Sequence, residues 1–179
     1  MNHISTLPQL IDHLDNADPY DIKKVIKKIK LQASELESFA TWKKGCYTRN
    51  CLGRTQAYEL ILLCWAIDAK TPIHGHGGKD CWVYQVQGTL DEVRFEQNDN
   101  NELIEKRRIS LTPGRLTYMH DRMGYHAIEN ISGQRAMTLH IYASPIDACK
   151  VYNASKDCFE TKEMSYDTYK EVGVEPYIP

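Results

Sequence analysis

Residues 71–88 read TPIHGHGGKDCWVYQVQG. This stretch joins the pair His74 and His76 to a run of β-forming residues that ends at Gly88. In an extended segment, residues two apart project from the same face, so the two imidazoles point the same way and can share one metal ion. Taken alone the pair is also compatible with a structural role, because the chain contains seven histidines.

Short β-rich runs of the same kind continue along most of the chain from about Tyr47 onward. Turn residues such as Pro113-Gly114 and Ser132-Gly133 separate them, and no helical pattern lies between them. Many short strands at this spacing predict a mainly β fold, an antiparallel sandwich or barrel. The predicted strands are Tyr58 to Ile67, Cys81 to Gln87, Thr89 to Phe95, Glu102 to Ser110, Arg115 to Tyr118, Gly124 to Asn130 and Arg135 to Ala143.

The first part of the chain has a helical pattern instead. Leu7, Leu10, Ile11 and Leu14 follow the spacing of an amphipathic helix, with Ser5 or Thr6 as its cap. Asp18-Pro19 predicts the start of a second helix, whose apolar face would be Ile22, Val25, Ile26 and Ile29. A shorter helical piece is expected around Ser34 to Phe39, and the stretch from Asp157 is expected to be less regular and to wrap the barrel.

Length and composition limit the possible classes of protein. A chain of 179 residues suits one domain, which we expect to span residues 1–179, with a helical segment over 1–42 and a barrel over 45–179. A net charge of -2 gives no electrostatic footprint for nucleic acid or an anionic membrane. The N-terminal residues do not resemble a signal peptide, and six cysteines without a CxxC pair favour reduced thiols, so a cytoplasmic location is expected.

A third histidine strengthens the metal interpretation. His126 lies on a later predicted strand and is followed by Asn130, while Cys81 and Gly88 follow the His-x-His pair. In these positions the sequence resembles the two motifs of the cupins, which are double-stranded β-helix barrels. Most cupins have a glutamate ligand where this chain has Cys81. Three neutral imidazoles would not offset the charge of a divalent metal ion, so the site would favour an anionic ligand such as a thiolate. Ligation by Cys81 itself, which would suit zinc, is the alternative.

A longer ordered set of segments resembles one family, the cysteine dioxygenases. The resemblance runs from about Tyr47 to Met164. It implies that His74, His76 and His126 hold Fe(II), and that the enzyme oxidises the thiol of L-cysteine to a sulfinate with O2. The segments that carry it are Tyr47-Thr48-Arg49-Asn50, Leu63-Cys64-Trp65, Ile73-His74-x-His76 with Cys81, Gly124-x-His126-x-x-Glu129-Asn130, and Leu139-His140-Ile141-Tyr142-x-Ser144-Pro145-x-Asp147-x-Cys149.

The resemblance also implies how substrate is bound. Arg49, beside Tyr47, falls where the family holds the substrate carboxylate, a task that suits a forked guanidinium. On composition alone Arg49 would be an ordinary surface arginine. The glutamine that is typical of 3-mercaptopropionate dioxygenases at this position is absent, which favours cysteine.

Further residues of the expected site lie on the strand that ends near Ala143. Thr138, His140 and Tyr142 alternate, so they share one face. In the family the tyrosine hydroxyl lies near iron and substrate and the histidine orients it; a buried tyrosine satisfied by a neighbouring histidine is the structural alternative. Many relatives have serine where this chain has Thr138. Cys81 and Tyr142 match the pair that some members join by a thioether, and Cys149 matches a further family cysteine, with simple burial its alternative.

Three other functions fit parts of the pattern. A dioxygenase acting on 3-mercaptopropionate or another thiol is the nearest. A non-catalytic metal-binding cupin and a zinc or manganese cupin isomerase are the others, although the isomerases normally keep the missing glutamate. The expected partners are L-cysteine and O2, with no nucleic acid or membrane, and by resemblance the protein is expected to be a monomer.

Overall fold

The computed structural model describes residues 3–18 and 21–169, and the protein is mainly β within these ranges. Its helices are α1 (Leu7–Asp15) and α2 (Ile22–Ile26), with short 3-10 turns at Ala33–Glu35, Glu37–Phe39 and Asp121–Met123. Its strands are β1 (Tyr47–Arg54), β2 (Tyr58–Trp65), β3 (Cys81–Gln87), β4 (Leu90–Gln97), β5 (Leu103–Leu111), β6 (Leu116–Met119), β7 (Tyr125–Asn130), β8 (Ala136–Ala143), β9 (Ala148–Asn153), β10 (Cys158–Glu163) and β11 (Thr168–Tyr169).

The helical front largely follows the sequence pattern. Thr6 caps α1, its hydroxyl accepting from Gln9 N at 3.4 Å. The second helix is shorter than predicted, because it ends at Ile26 and Ile29 instead forms a parallel bridge with Ile4. Asp18 accepts the backbone N–H of Asp21, and the proposed first helical residue, Pro19, lies outside the described residues. The helical piece expected at Ser34 to Phe39 takes the form of the two 3-10 turns.

A six-stranded sheet forms one layer of the fold, in the order β11-β1-β2-β8-β3-β6. Its central strand β2 is buried along its whole length. Leu60, Leu62 and Cys64 pack with the apolar faces of the helices, whereas Ile61, Leu63 and Trp65 face the opposite side. Period-two alternation therefore gives this sheet two apolar faces, one covered by α1 and α2.

The other face of β2 packs against a second sheet, of order β5-β4-β7. Leu90, Ile109 and Ile128 from this sheet join Ile61 and Leu63 in one core. Within the described ranges the strands pair into these two sheets and the separate β9–β10 hairpin, so hydrogen bonding does not close them into one barrel. The metal-binding candidates lie in the core between the sheets.

The chain between β8 and Tyr169 is more regular than the sequence indicated. β9 and β10 form an antiparallel hairpin, in which Cys158 pairs with Asn153 and Glu163 with Ala148. β11 then pairs in parallel with β1, with Asn50 opposite Thr168. The predicted irregular wrapping from Asp157 was therefore wrong over Cys158–Glu163.

Helices in the described ranges do not reach the length and apolar character that crossing a bilayer requires.

Candidate metal centre

The loop between β2 and β3 carries His74 and His76. It is not a continuous strand, but His74 forms isolated antiparallel bridges with His126 and Val151, so the predicted extended conformation is present at His74. His74 is fixed by two backbone hydrogen bonds with His126 on β7, at 2.9 and 3.1 Å. On the other side Gly75 N donates to Lys150 O at 2.9 Å. The loop is therefore held between β7 and β9, which brings two distant parts of the chain together.

His74, His76 and His126 converge at one point. The candidate ligand atoms of the three rings all lie within 4.8 Å of one another. The ring centroids are 4.7 Å apart for the His74–His126 and His76–His126 pairs, and 5.4 Å apart for the His74–His76 pair. His76 and His126 are buried and His74 is partly buried. Among the described residues this is the cluster whose spacing suits a metal ion, and it contains neither a carboxylate nor Cys81.

The hydrogen bonds of the rings fit a bound metal. His74 Nδ1 lies 3.0 Å from Pro72 O, and His126 Nδ1 lies 2.9 Å from Glu92 Oε1. Both rings thus use Nδ1 for an outer acceptor, which leaves Nε2 as the metal-binding atom, the usual arrangement for histidine ligands. His126 Nε2 is buried and has no hydrogen-bond partner. A metal ion would satisfy that atom, so the residues present fit a mononuclear metal.

The electrostatics of the cluster also favour neutral imidazoles. Burial, and then the neighbouring His126, lower the pKa of His74 to about 3. Burial, then His126 and His74, hold the pKa of His76 well below its usual value. Because a metal competes with protons for imidazole nitrogen, the low pKa values of His74 and His76 leave both rings unprotonated and ready to bind one near neutral pH.

Asp121 supports the loop from outside. Its carboxylate accepts the backbone N–H of His76 and, at 2.7 Å, that of Gly78. Its Oδ1 lies 3.9 Å from His76 Nδ1, beyond hydrogen-bond distance. Asp121 therefore fixes the backbone that carries the second imidazole.

Glu92, on β4, is the most deeply buried acid near the cluster, with no exposed surface. It accepts from His126 and from Arg94 at 3.2 Å, and Thr117 Oγ1 donates to it at 2.7 Å. Burial alone would raise the pKa of Glu92, but its interaction with His126, and then those with Arg94 and Thr117, lower it to about 2. The Glu92 carboxylate therefore contacts the cluster only through its hydrogen bond with His126, and it is not one of the candidate ligands.

Cys81 and Tyr142 lie side by side next to the cluster. They are directly opposite one another in the antiparallel pairing of β3 with β8. The ring of Tyr142 is centred 6.3 Å from that of His76. Burial raises the pKa of the Cys81 thiol and of the Tyr142 hydroxyl well above their usual values, so both side chains keep their protons at neutral pH.

The remaining predicted residues on β8 form a buried chain of hydrogen bonds. Trp65 Nε1 donates to Thr138 Oγ1 at 2.9 Å, and that oxygen lies 3.0 Å from His140 Nε2. The His140 and Tyr142 ring centroids are 6.3 Å apart. Burial, then Arg49, hold the pKa of His140 well below its usual value. A neutral His140 can accept a hydrogen bond from the Thr138 hydroxyl, and the contact of Trp65 with that hydroxyl was not predicted from the sequence.

A cavity of about 40 Å³ opens beside the cluster. Arg49 and Tyr142 line it together with His74, and the Arg49 and Tyr142 side chains interact. Tyr47 also lines it, and its ring packs at a tilt against Trp65, with ring centroids 5.2 Å apart. Its full lining is Tyr47, Arg49, Leu63, Thr71, Pro72, His74, His140, Tyr142, Cys149, Val151, Lys162 and Met164. Arg49 is thus a cavity residue and not an ordinary surface arginine.

The supporting roles of Glu92, Asp121 and Trp65 were not predicted from the sequence, although Trp65 belongs to the segment Leu63-Cys64-Trp65 that carries the resemblance. A signal for Glu92 was present, because it follows the buried Leu90 by two residues and so shares its face of β4. Asp121 reaches the loop from 45 residues away in the sequence, and no local pattern predicts that contact.

Comparison with known proteins agrees with this geometry. The model of the family described as cysteine dioxygenase type I matches residues 2–155. Cysteine dioxygenase type 1 of Rattus norvegicus is 29% identical over 143 residues, which cover 78% of this chain and 72% of the relative. That of Danio rerio is 24% identical over 168 residues, which cover 91% and 83%.

Solved structures resemble the fold. A crystal structure from Thermus thermophilus has a TM-score of 0.50 at 19% identity, covering 61% of this chain and 93% of its own. A cupin superfamily protein from Desulfitobacterium hafniense has a TM-score of 0.49 at 16% identity, covering 62% and 88%. The predicted cupin double-stranded β-helix is confirmed, with sheets that are not closed. Since the family model matches most of its length, the chain belongs to the cysteine dioxygenase type I family.

Proposed function

We propose that this protein is a cysteine dioxygenase that oxidises the thiol of L-cysteine to cysteine sulfinic acid at a mononuclear non-heme Fe(II) centre. One observation carries the proposal: a three-histidine cluster without a carboxylate borders a cavity that also contains Arg49 and Tyr142. The three histidines would bind a metal ion, and that ion would bind the substrate thiolate. Arg49 and Tyr142 would bind the substrate carboxylate.

His74, His76 and His126 are the proposed ligands. A ferrous ion held by them would supply a cationic site that favours a thiolate and the one-electron chemistry that O2 requires. Histidine suits iron, but it also suits zinc, copper and nickel, so the choice of Fe(II) rests on the family and not on the ligand set.

Arg49 is the proposed substrate anchor. Its guanidinium can donate two parallel hydrogen bonds to a carboxylate, which fixes the orientation of the substrate as well as its position. In the described ranges none of the ion pairs involves Arg49, so its charge is available to a ligand. Tyr47 would form the wall of the same pocket.

Tyr142 is the proposed second contact to substrate. Because burial keeps its hydroxyl protonated, it can donate a hydrogen bond to the substrate carboxylate or to a developing negative charge. Thr138 and Trp65 hold His140 in place, and His140 in turn would orient the tyrosine. A thioether between Cys81 and Tyr142 would fix the ring further.

The reaction balances without another reactant. Cysteine contributes its thiol and O2 contributes both of its oxygen atoms, which end on sulfur as the sulfinic acid. The sulfur supplies all the electrons that O2 accepts, so no reductant or organic cofactor is required. Holding both reactants in one small cavity makes proximity the main contribution of the protein. A monomer, expected from the resemblance alone, and a cytoplasmic location, expected from six cysteines without a CxxC pair, complete the proposal.

Oxygen consumption by the Fe(II)-loaded protein tests the proposal. We expect uptake with L-cysteine, formation of cysteine sulfinic acid identified by mass spectrometry, and slower reaction with 3-mercaptopropionate. In Arg49→Gln the loss of a charge-assisted hydrogen bond should lower kcat/KM for cysteine by about 10- to 100-fold. Arg135→Gln is the matched control, since Arg135 lies over the Trp42 ring and does not line the cavity.

Two results would contradict the proposal. Preferred turnover of 3-mercaptopropionate would assign the protein to another thiol dioxygenase activity. Full occupancy by zinc or manganese, with no oxygen uptake when iron and cysteine are supplied, would favour a non-catalytic or isomerase cupin.

A further inference from the structure

The segment Met164–Thr168, here called the C-terminal strap, lies along β1 beside Arg49. The backbone N–H of Arg49 donates to Asp167 Oδ2 at 2.8 Å, and Asp167 N donates to Arg49 O at 2.7 Å. The strap is held at its start by Met164 N, which donates to Asp147 O at 2.8 Å, and at its end by pairing of Thr168 with Asn50. The strap therefore has a fixed position relative to the Arg49 backbone.

The strap also contacts the Arg49 side chain. Arg49 Nε donates to Ser165 O at 3.1 Å, and the centre of the guanidinium lies 6.0 Å from the Tyr166 ring centroid. A guanidinium has five N–H donors, so N–H groups remain for a ligand besides those that meet Ser165 O and the Tyr142 side chain. An aromatic ring at this distance attracts the cation without using any donor.

The Tyr166 ring is itself anchored. Arg54 approaches the same ring, also at 6.0 Å, and its Nη1 donates to the Tyr166 hydroxyl oxygen at 2.6 Å. That hydroxyl in turn donates to Glu59, a carboxylate with no exposed surface. Glu59 is fixed by the backbone N–H of Ile146 at 3.3 Å and lies opposite Tyr142 in the pairing of β2 with β8. Two arginines and a buried acid thus define where the ring lies.

We propose that Tyr166 is a positioning residue that orients Arg49 for the carboxylate of the substrate and so determines the preference for thiols that carry a carboxylate. The inference rests on the proposed function, because it assumes that Arg49 binds that group. Ser165 O and the Tyr166 ring restrict the rotamers of a long side chain before substrate arrives. Such preorganisation lowers the entropy lost on binding and so increases affinity. Arg54 and Glu59 act on the ring and not on the substrate.

The substitution Tyr166→Leu removes the ring and tests the inference. We expect kcat/KM for L-cysteine to fall by about 3- to 30-fold, mainly through KM, as the lost cation–π contact implies. Cysteamine has the same thiol and amine but no carboxylate, so its kinetics should change much less. Tyr166→Phe keeps the ring but loses its hydroxyl contacts with Arg54 and Glu59, so its loss of kcat/KM for cysteine should be smaller than that of Tyr166→Leu. Anaerobic binding of both thiols to the metal-loaded protein gives the same comparison without turnover.

A double-mutant cycle decides whether Tyr166 acts through Arg49. In an Arg49→Gln background, Tyr166→Leu should have little further effect on cysteine, since coupled residues are not additive. Tyr152→Leu is the matched control, because this tyrosine is on β9 and its ring lies tilted against Phe159 instead of beside an arginine.

The outcomes separate this inference from the function on which it rests. No turnover of cysteine by the unsubstituted protein, or no effect of Arg49→Gln, would overturn the proposed function and the inference together. A strong effect of Arg49→Gln with none of Tyr166→Leu would overturn the inference alone. Equal losses for cysteine and cysteamine, or additive losses in the double variant, would do the same and indicate a role in stability.

Discussion

Cys81 and Tyr142 are directly opposed across the pairing of β3 with β8. Opposed residues on one face of an antiparallel pair have Cβ atoms about 4.5–5.5 Å apart, within reach of a sulfur and a phenol ring. Both side chains are buried next to the histidine cluster. The two residues thus meet through strand register, which does not depend on a flexible loop.

This relationship predicts a thioether between Cys81 Sγ and the Tyr142 ring after aerobic turnover with iron. The bond removes one hydrogen from the thiol and one from a ring carbon, with O2 as the oxidant, so intact mass should decrease by the mass of two hydrogens. Cys81→Ala should abolish the decrease. Cys149→Ala should still show the decrease. Cys149 lines the same cavity, but it lies on β9 and is not opposed to Tyr142. An unchanged mass after prolonged turnover would contradict the prediction.

Gly124 directly precedes β7 and lies two residues before His126. Its φ is +92°, and a Cβ atom there would lie 2.2 Å from Phe95 O. Gly124→Ala should therefore destabilise the protein by about 3 kcal/mol or more, through both steric overlap and backbone strain. Urea unfolding measures the loss.

Gly114→Ala is the control for Gly124→Ala. Gly114 has a φ of +84° but open space around its would-be Cβ, so only the left-handed strain of about 1–2 kcal/mol applies. If both variants lose the same free energy of unfolding, the overlap of the new Cβ with Phe95 O is removed by a small structural shift that costs little.

The sequence motifs predicted the metal-binding and substrate-binding residues better than they predicted the residues that hold those side chains in place. The three histidines, Arg49 and Tyr142 follow from local spacing and from resemblance, and the structure brings all five to one cavity or its border. The supports depend on contacts between distant segments. Arg49 and Ser165, for example, are 116 residues apart, and no periodicity predicts that the strap lies over β1.

Strand prediction succeeded where alternation or continuous burial was clear and failed where it was not. The predicted run Cys81 to Gln87 is β3 itself, with six of its seven residues buried. β10, in contrast, is mostly exposed and rich in charge, so nothing in its pattern distinguishes it from a loop. Its strand structure comes from pairing with β9.

Glu92 is expected to set the metal affinity through His126. Its carboxylate fixes the ring so that Nε2 is free for a metal, and its charge makes the imidazole a stronger donor. Glu92→Gln should weaken Co(II) binding by about 10- to 100-fold, measured by competition with a chelator. Asp91→Asn, at the adjacent position on the other face of β4, is the control. An unchanged Co(II) affinity in folded Glu92→Gln would contradict this role.

Glu59 is expected to make stability depend on pH. Burial raises its pKa above the ordinary value of 4.5, while the Ile146 backbone N–H, Arg49 and Arg54 partly oppose the shift and Asp147 adds to it. Tyr166 and Tyr142 face the same carboxylate. A group with a raised folded-state pKa binds its proton more tightly when folded, so its contribution to stability is complete below pH 4.5 and declines as pH rises toward the folded value.

Glu59→Gln should remove this dependence. The free energy of unfolding of the unsubstituted protein, minus that of Glu59→Gln, should fall as pH increases above 4.5, by at most about 1.4 kcal/mol per pH unit, and then become constant. Urea unfolding of the metal-free protein across this range measures the difference, and titration of the histidines cancels because both proteins share them. Glu163→Gln on the exposed β10 controls for the loss of one surface charge. A difference that stays constant with pH, or that grows as pH rises, would mean that Glu59 is ionised in the folded protein throughout the range, held so by Arg54 and the Tyr166 hydroxyl.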